Sequence, residues 1–325
     1  MIAARLHAAT KEVSQLPAYC KRSGVLRDDQ TIFVFCPSKD KERIHNTLVQ
    51  NKILHRINEY SAPFNSRSIL CHFKSWSLPA VQQNQLIDAT KSGAWVEPLI
   101  CFLDRNLGYT EVDLLHEQYF LHQKAFPILC RKRHAIIKRI FDVVLSFLLL
   151  ILTLPICLLT ALAIKSESKG PVLFTQRRTG QHNKEFDVIK FRSMSVDAEK
   201  HGAKWASQND SRVTNIGKFI RKTRIDELPQ LINVIKGDMS LIGPRPEREV
   251  FIQELEKVIP YYRFRHTVKP GISGLAQVKY AYGSSIEDAM WKHKYDTYYI
   301  KHYNLLLDIK ILFWTVRTVL FGMGR

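Results

Sequence analysis

VVLSFLLLILTLPICLLTALAI, the run from Val143 to Ile164, contains no charged residue, and its reading decides the architecture. A helix that enters a bilayer needs about 20 predominantly apolar residues, and this run has that length in mid-chain, where a secretion signal does not sit. It also exceeds the usual length of a globular core helix. A membrane-associated protein is therefore expected. Arg131, Lys132, Arg133, Lys138 and Arg139 precede the run, and Lys165 and Lys169 follow it. Because Lys and Arg near the ends favour the cytoplasmic side, both flanks call for the same face. Pro155 falls near the middle, where it removes a backbone hydrogen bond and bends a helix. A re-entrant helix that bends at Pro155 and returns to the cytoplasmic face satisfies both observations; a straight span is the alternative. Asp142 at the entrance is tolerable at the interface, paired with Arg139.

Upstream of the run, TIFVFC (Thr31 to Cys36), SILCHF (Ser68 to Phe73) and VEPLICFL (Val96 to Leu103) read as short buried strands. Helical stretches lie around Lys39 to Gln50 and Val81 to Lys91. Strands alternating with helices predict a small sheet of the doubly wound kind. It carries no G-x-G-x-x-G and no P-loop, so nothing supports nucleotide binding there. Residues 1–130 are assigned to an accessory α/β domain, 131–169 to the membrane segment and 170–325 to a compact α/β catalytic core at the membrane surface.

Downstream, FTQRRTG (Phe174 to Gly180) and EFDVIKFRSM (Glu185 to Met194) predict a hairpin turning at Gly180 to Asn183. Lys190 and Arg192 alternate with Ile189 and Phe191, so in a strand they share one face and can grip a diphosphate. In IDELPQLINVIKGDMSLIGPRP (Ile225 to Pro246), Pro229 suits a first helical position and Gly237 a stop, predicting a helix from Pro229 to Lys236. Asp226 and Glu227 then sit at the helix's positive end, with Arg221, Lys222 and Arg224 just upstream, which favours ionised carboxylates. An ionised Asp beside clustered Arg is a nucleophile or metal ligand next to anion-binding groups. KPGISGLAQV (Lys269 to Val278) supplies a Pro-Gly turn and a second Gly that lets backbone approach a ligand closely. Between Tyr303 and Phe321, Leu305, Ile309, Leu312, Phe313, Val316 and Leu320 fall on one helical face, which with Trp314 suits a helix lying in the interface; a core helix is the alternative.

The chain has 325 residues and a formal net charge of +18, which implies an anionic partner such as lipid headgroups, nucleotide or nucleic acid. The 6 cysteines are scattered without a C-x-x-C pair, so neither a zinc site nor a disulfide framework is signalled. No helix-turn-helix, zinc or RNP-type motif marks a nucleic-acid binder. The competing class, a membrane-tethered basic protein that binds nucleic acid or lipid without catalysis, would explain the charge but not the Asp226-Glu227 pair with its Gly-Pro-Arg-Pro turn. A nucleotidyltransferase is a further alternative among enzymes, though it needs no membrane segment.

Read in order, Lys138-Arg139-x-Phe141-Asp142, FTQRRTG, KFRSM, DELPQLINVIKGDMSLIGPRP, RHTVKPGISGLAQV and YDTYYI-x-x-YNLLLDIKIL resemble the bacterial sugar transferases, the monotopic polyprenol-phosphate phosphoglycosyl transferases, over roughly residues 131 to 325. The resemblance implies transfer of a sugar-1-phosphate from a UDP-sugar to undecaprenyl phosphate with release of UMP. It implies a Mg²⁺ requirement and a re-entrant helix bent at Pro155. By the same resemblance Asp226 is the covalent nucleophile and Glu227 its partner, both at the metal, while Lys190, Arg192, Arg221, Arg245 and Arg265 bind substrate phosphate. The implied location is the bacterial inner membrane with the catalytic domain on the cytoplasmic face, in contact with membrane lipid; homo-oligomerisation is compatible with this. Two positions depart from the pattern: Leu154 precedes Pro155 where small members have Ser, and Asn183 stands where Gly is common.

Overall fold

In the computed structural model, residues 30–59, 64–121, 126–130, 132–198, 210–280, 283 and 285–320 are described. Cys20 and Arg131, and the side chains of Cys130, Lys132 and Leu320, lie outside that description. Two compact units divide between Leu115 and His116.

The first unit is a four-stranded parallel sheet in the order β2-β1-β3-β4. Its strands are β1 (Ile32–Phe35), β2 (His55–Ile57), β3 (Ile69–His72) and β4 (Trp95–Pro98), and its helices are α1 (Lys41–Gln50), α2 (Ala80–Lys91) and α3 (Leu99–Leu107). The expected parallel sheet with helices between its strands is present. The strand read over Val96 to Leu103 is corrected: the ladder ends at Pro98 and α3 starts at the next residue. Leu99, Phe102 and Leu103 are each buried, and i, i+3, i+4 spacing is a helix period hidden inside an apolar run.

The second unit begins before the 130 boundary. Tyr119, Phe120 and Phe126 pack with Phe264, Tyr299 and Ile300 in its core. Short helices α4 (Glu117–Leu121) and α5 (Pro127–Cys130) lead into α6 (Lys132–Glu167), which contains Pro155 and has a mean hydropathy of 2.8 in its most apolar window. The hairpin β5 (Leu173–Thr179) and β6 (Glu185–Phe191) is antiparallel as expected, and α7 (Asn215–Lys222), α8 (Gln230–Lys236), β7 (Ser240–Ile242) and α9 (Glu249–Leu255) follow. β8 (Gly271–Ser273) pairs in parallel with β7, and α10 (Leu275–Lys279), α11 (Ile286–Lys301) and α12 (Leu305–Leu320) complete the described residues.

Both ends of α6 are fastened to this unit. At the first end, Arg139 donates to the carbonyls of Val234 (2.5 Å) and Ile235 (2.8 Å), completing the C-terminal turn of α8. Lys138 pairs with Asp308 at 2.7 Å, and Asp142 accepts the Leu241 N–H at 3.3 Å. Asp142 therefore pairs with Lys138 (3.7 Å) and not with Arg139, which the α8 carbonyls hold. At the other end, Ile164 is buried with Phe191 and Ile220, and Glu167 accepts the first N–H groups of α7 from Asn215 (2.8 Å) and Ile216 (3.1 Å). A carboxylate at that position meets the helix's positive end. Between the two fastenings Leu148, Leu152, Leu158, Leu159 and Leu162 are exposed, with Leu152 at 73%.

On α12 the buried face carries Asp308 and Ile311, while Leu306, Ile309, Phe313 and Val316 form an exposed apolar stripe. Leu312, placed on the outer face by periodicity, packs partly into the core, and Leu306 replaces it.

Candidate active site

The turn ahead of α8 sets the chemistry. Arg224 takes a left-handed conformation (φ 59°), which reverses the chain and starts a single 3₁₀ turn over Ile225–Glu227. Both carboxylates of that turn are buried, Asp226 at 9% exposure and Glu227 at 7%. Pro229 then caps α8 with φ −61°, and Gly237 ends it in a left-handed conformation, as the sequence predicts.

Asn233 locks α8 to the hairpin. Its carbonyl oxygen accepts the Ile189 N–H at 3.0 Å and its amide donates to the Asp187 carbonyl at 2.8 Å. That clamp fixes β6 so that the next side chain, Lys190, reaches Glu227 at 3.9 Å. From the Gly243-Pro244-Arg245-Pro246 turn, Arg245 donates to the same Glu227 oxygen at 2.9 Å, and Arg224 stands 3.7 Å from it. The glycines here allow close approach of one backbone to another. A Cβ on Gly243 would lie 2.5 Å from the Lys269 carbonyl, and one on Gly274 would lie 2.3 Å from the Gly243 carbonyl. The two loops of KPGISG and GPRP thus close on each other.

The electrostatics split the pair. Burial raises the Glu227 pKa, but Arg245, Lys190 and Arg224 outweigh it and hold the carboxylate well below its ordinary range. Asp226 goes the other way: burial and the Glu227 charge push it up, against the weaker pull of Lys190, Arg224 and Arg245. The helix terminus does not hold Asp226 low as the sequence suggests: the residue sits in the 3₁₀ turn ahead of α8, and the cations converge on Glu227, so its pKa lies at about 6. One Asp226 oxygen, Oδ1, is buried without a hydrogen-bond partner. Lys190 is lowered to about 8 by burial and by Arg245, which exceed the opposing effect of Glu227.

The residues expected to bind phosphate are partly dispersed. Lys190 and Arg245 meet at Glu227. Arg192 follows the end of β6, is buried, and donates to the Lys169 and Ser168 carbonyls at 3.0 Å each, so it fastens the end of α6 instead of sharing a face with Lys190. Arg221 lies half-buried in the last turn of α7, where its charge acts on Asp210. Arg265 is fully enclosed: it pairs with Asp296 at 2.7 Å, donates to Tyr262 Oη at 2.6 Å and holds the Arg245 carbonyl at 3.0 Å. It shapes the turn that aims Arg245. Sequence reasoning left out Arg178, which donates to the Pro246 carbonyl at 3.4 Å and pairs with Glu247. The hairpin register contained the signal, since Phe174 pairs with Lys190 and residues two apart place Arg178 on that same face.

The donor set suits a divalent cation of the Mg²⁺ class. Such an ion is commonly held by one or two carboxylates plus substrate phosphates and keeps several waters. Asp226 and Glu227 supply two carboxylates, and the orphaned Oδ1 supplies an unused acceptor. Among the described residues no group of three His, Cys, Asp or Glu forms a closed protein cage.

The family match covers residues 133–322, described as bacterial sugar transferase. The chain belongs to that family. It is 48% identical over 217 residues to a UDP-N-acetylgalactosamine-undecaprenyl-phosphate N-acetylgalactosaminephosphotransferase of Aeromonas hydrophila, covering 67% of this chain and 50% of that one. A UDP-glucose:undecaprenyl-phosphate glucose-1-phosphate transferase of Klebsiella pneumoniae is 45% identical over 183 residues (56% of this chain, 39% of that one). A UDP-glucose:undecaprenyl-phosphate glucose-1-phosphate transferase of Caulobacter vibrioides is 41% identical over 185 residues (56% of this chain, 69% of that one). The matched stretch spans half or less of the length of the first two relatives.

Proposed function

We propose that the chain is a phosphoglycosyl transferase that moves a sugar-1-phosphate from a UDP-sugar to undecaprenyl phosphate with release of UMP. The observation that carries this reading is the buried carboxylate pair in which three cations neutralise Glu227 and leave Asp226 Oδ1 unpartnered. Asp226 attacks the β-phosphorus of the donor: a bond forms from its carboxylate oxygen to phosphorus, and the bond to the bridging oxygen breaks, so that UMP leaves with the electron pair. An oxygen of undecaprenyl phosphate then attacks the aspartyl phosphosugar, freeing Asp226 and forming the diphosphate-linked sugar. Arg245 and Lys190 offset the charge that accumulates on the transferring phosphoryl group. Mg²⁺ held by Asp226 and Glu227 would neutralise phosphate oxygens and favour the ionised Asp226.

The membrane segment fits the acceptor, whose phosphate lies at headgroup level. Lys138 to Ile164 would extend about 40 Å if straight, more than the hydrocarbon core of about 30 Å. One compact unit on one side of a bilayer cannot fasten both ends of a helix that crosses it. The re-entrant reading at Pro155, with both ends on the cytoplasmic face of the inner membrane, rests on that argument, and the α12 stripe supports contact with lipid at the same face.

The test is UMP release from a panel of UDP-sugars that includes UDP-N-acetylgalactosamine and UDP-glucose, with and without undecaprenyl phosphate, and after chelation by EDTA. Release from at least one donor, abolished by EDTA and restored by Mg²⁺, is the expected result. Absence of release from every donor would overturn the reading.

A further inference from the structure

A further helix, α11, backs the Arg245 turn through Arg265. Asp296 on α11 holds Arg265, which in turn holds the Arg245 carbonyl. Lys292 lies four residues earlier, and residues four apart share one helix face. Lys292 is therefore on the side of α11 that is turned to the Arg245 turn. Its Nζ donates to the Gly283 carbonyl at 2.7 Å. Burial lowers its pKa, Glu247 and Asp288 oppose this, and Arg245 and Arg265 add to it. An ammonium half-buried near two guanidinium groups is repelled by them, and an anion entering between them relieves that repulsion. On the same helix, Trp291 stacks on Tyr280 with centroids 6.1 Å apart and planes 13° apart, and Tyr280 is fixed by its hydrogen bond to Asp288 (2.9 Å), whose charge also acts on Lys292. A cation beside a rigid aromatic wall matches a nucleoside diphosphate, which has a charged and a planar end.

We propose that Lys292 is a donor-binding residue that contacts the diphosphate of the nucleotide sugar. This rests on the donor identified under Proposed function. The acceptor is also a phosphate, but it is carried by a lipid tail and has no planar base to set against the Tyr280–Trp291 wall.

The experiment compares full-length wild type, Lys292→Gln and Lys292→Arg in UMP release, varying UDP-sugar and undecaprenyl phosphate separately. For Lys292→Gln the KM for UDP-sugar is expected to rise about 10- to 100-fold, the effect of losing a hydrogen bond to a charged group, with the KM for undecaprenyl phosphate unchanged. Lys292→Arg, which keeps the charge, is expected to recover most of the loss. A melting temperature close to wild type accompanies both. An unchanged donor KM in folded Lys292→Gln, an equal rise in both KM values, or a rise for the acceptor alone each overturns the proposal. If Lys292→Gln melts early, calorimetric binding of UDP to Lys292→Met decides the matter, and equal affinity to wild type overturns it. A wild type that releases UMP from no donor refutes the underlying reading instead, so the two failures are distinct.

Discussion

Asp226 is favoured in its neutral form by burial and by Glu227, and this has opposite consequences for stability and activity. Its folded pKa is raised above the unfolded value of about 3.9, so its stabilising contribution is complete below that pH and is lost as pH rises through the folded pKa. At neutral pH the ionised side chain is a cost. Asp226→Asn is therefore predicted to raise the melting temperature while removing transfer, because an amide cannot serve as the nucleophile; a variant that retains near-normal UMP release would sink the covalent mechanism. The pH profile carries the same sign. Activity needs ionised Asp226, so the acid limb of kcat/KM should lie above the ordinary Asp range. Arg245→Ala removes a cation that lowers the Asp226 pKa, and should move that limb to still higher pH. It should also reduce the rate by about 30- to 1,000-fold, or roughly 2–4 kcal/mol of transition-state stabilisation. An unmoved limb in Arg245→Ala would mean that Asp226 does not control it.

At the scale of elements, the clamp between α8 and β6 sets the position of Lys190. Asn233 is 1% exposed and satisfies two backbone groups of β6. Asn233→Ala leaves an N–H and a carbonyl without partners and is predicted to cost about 2–4 kcal/mol of stability, read as a lower denaturant midpoint; a loss below about 1 kcal/mol would show that water replaces the amide. How much of this was legible in the sequence differs by element. The hairpin and the ends of α8 were readable because Gly180, Pro229 and Gly237 are local signals. β2 was not: His-Arg-Ile at a sheet edge has neither the length nor the apolar alternation of a strand. β7 and β8 are each only 3 residues long, and their pairing depends on a glycine contact between distant loops. The same limit applies to the site. Asp226, Glu227 and Arg245 lie in one motif and were found together, whereas Arg192 and Arg265 are ordinary arginines until tertiary partners claim their guanidinium groups.

For the whole molecule, the decisive prediction concerns sidedness. Single-cysteine variants at Arg133 and Lys169, both exposed and flanking the apolar run, are expected to be protected together from an impermeant thiol reagent in intact cells and labelled together after lysis. Labelling of one alone in intact cells means a straight span and puts the two ends of α6 on different faces, which the fastening of both ends to one unit argues against. The domain division was only partly legible. Charge and hydropathy located the long apolar helix, but nothing local told that Tyr119, Phe120 and Phe126 pack with residues near 264 and 300.

The Lys138–Asp308 pair also has a meaning for biosynthesis. Its members are 170 residues apart, and at about 5–20 residues per second a ribosome takes roughly 10–30 s to make the chain between them. During that interval the apolar run has already emerged, with Asp142 at 3.7 Å in place beside Lys138, while the closer carboxylate, Asp308 at 2.7 Å, does not yet exist. Lys138 must meanwhile rely on Asp142 and on solvent. The final fastening of the first end of α6 to its unit has to wait for Asp308.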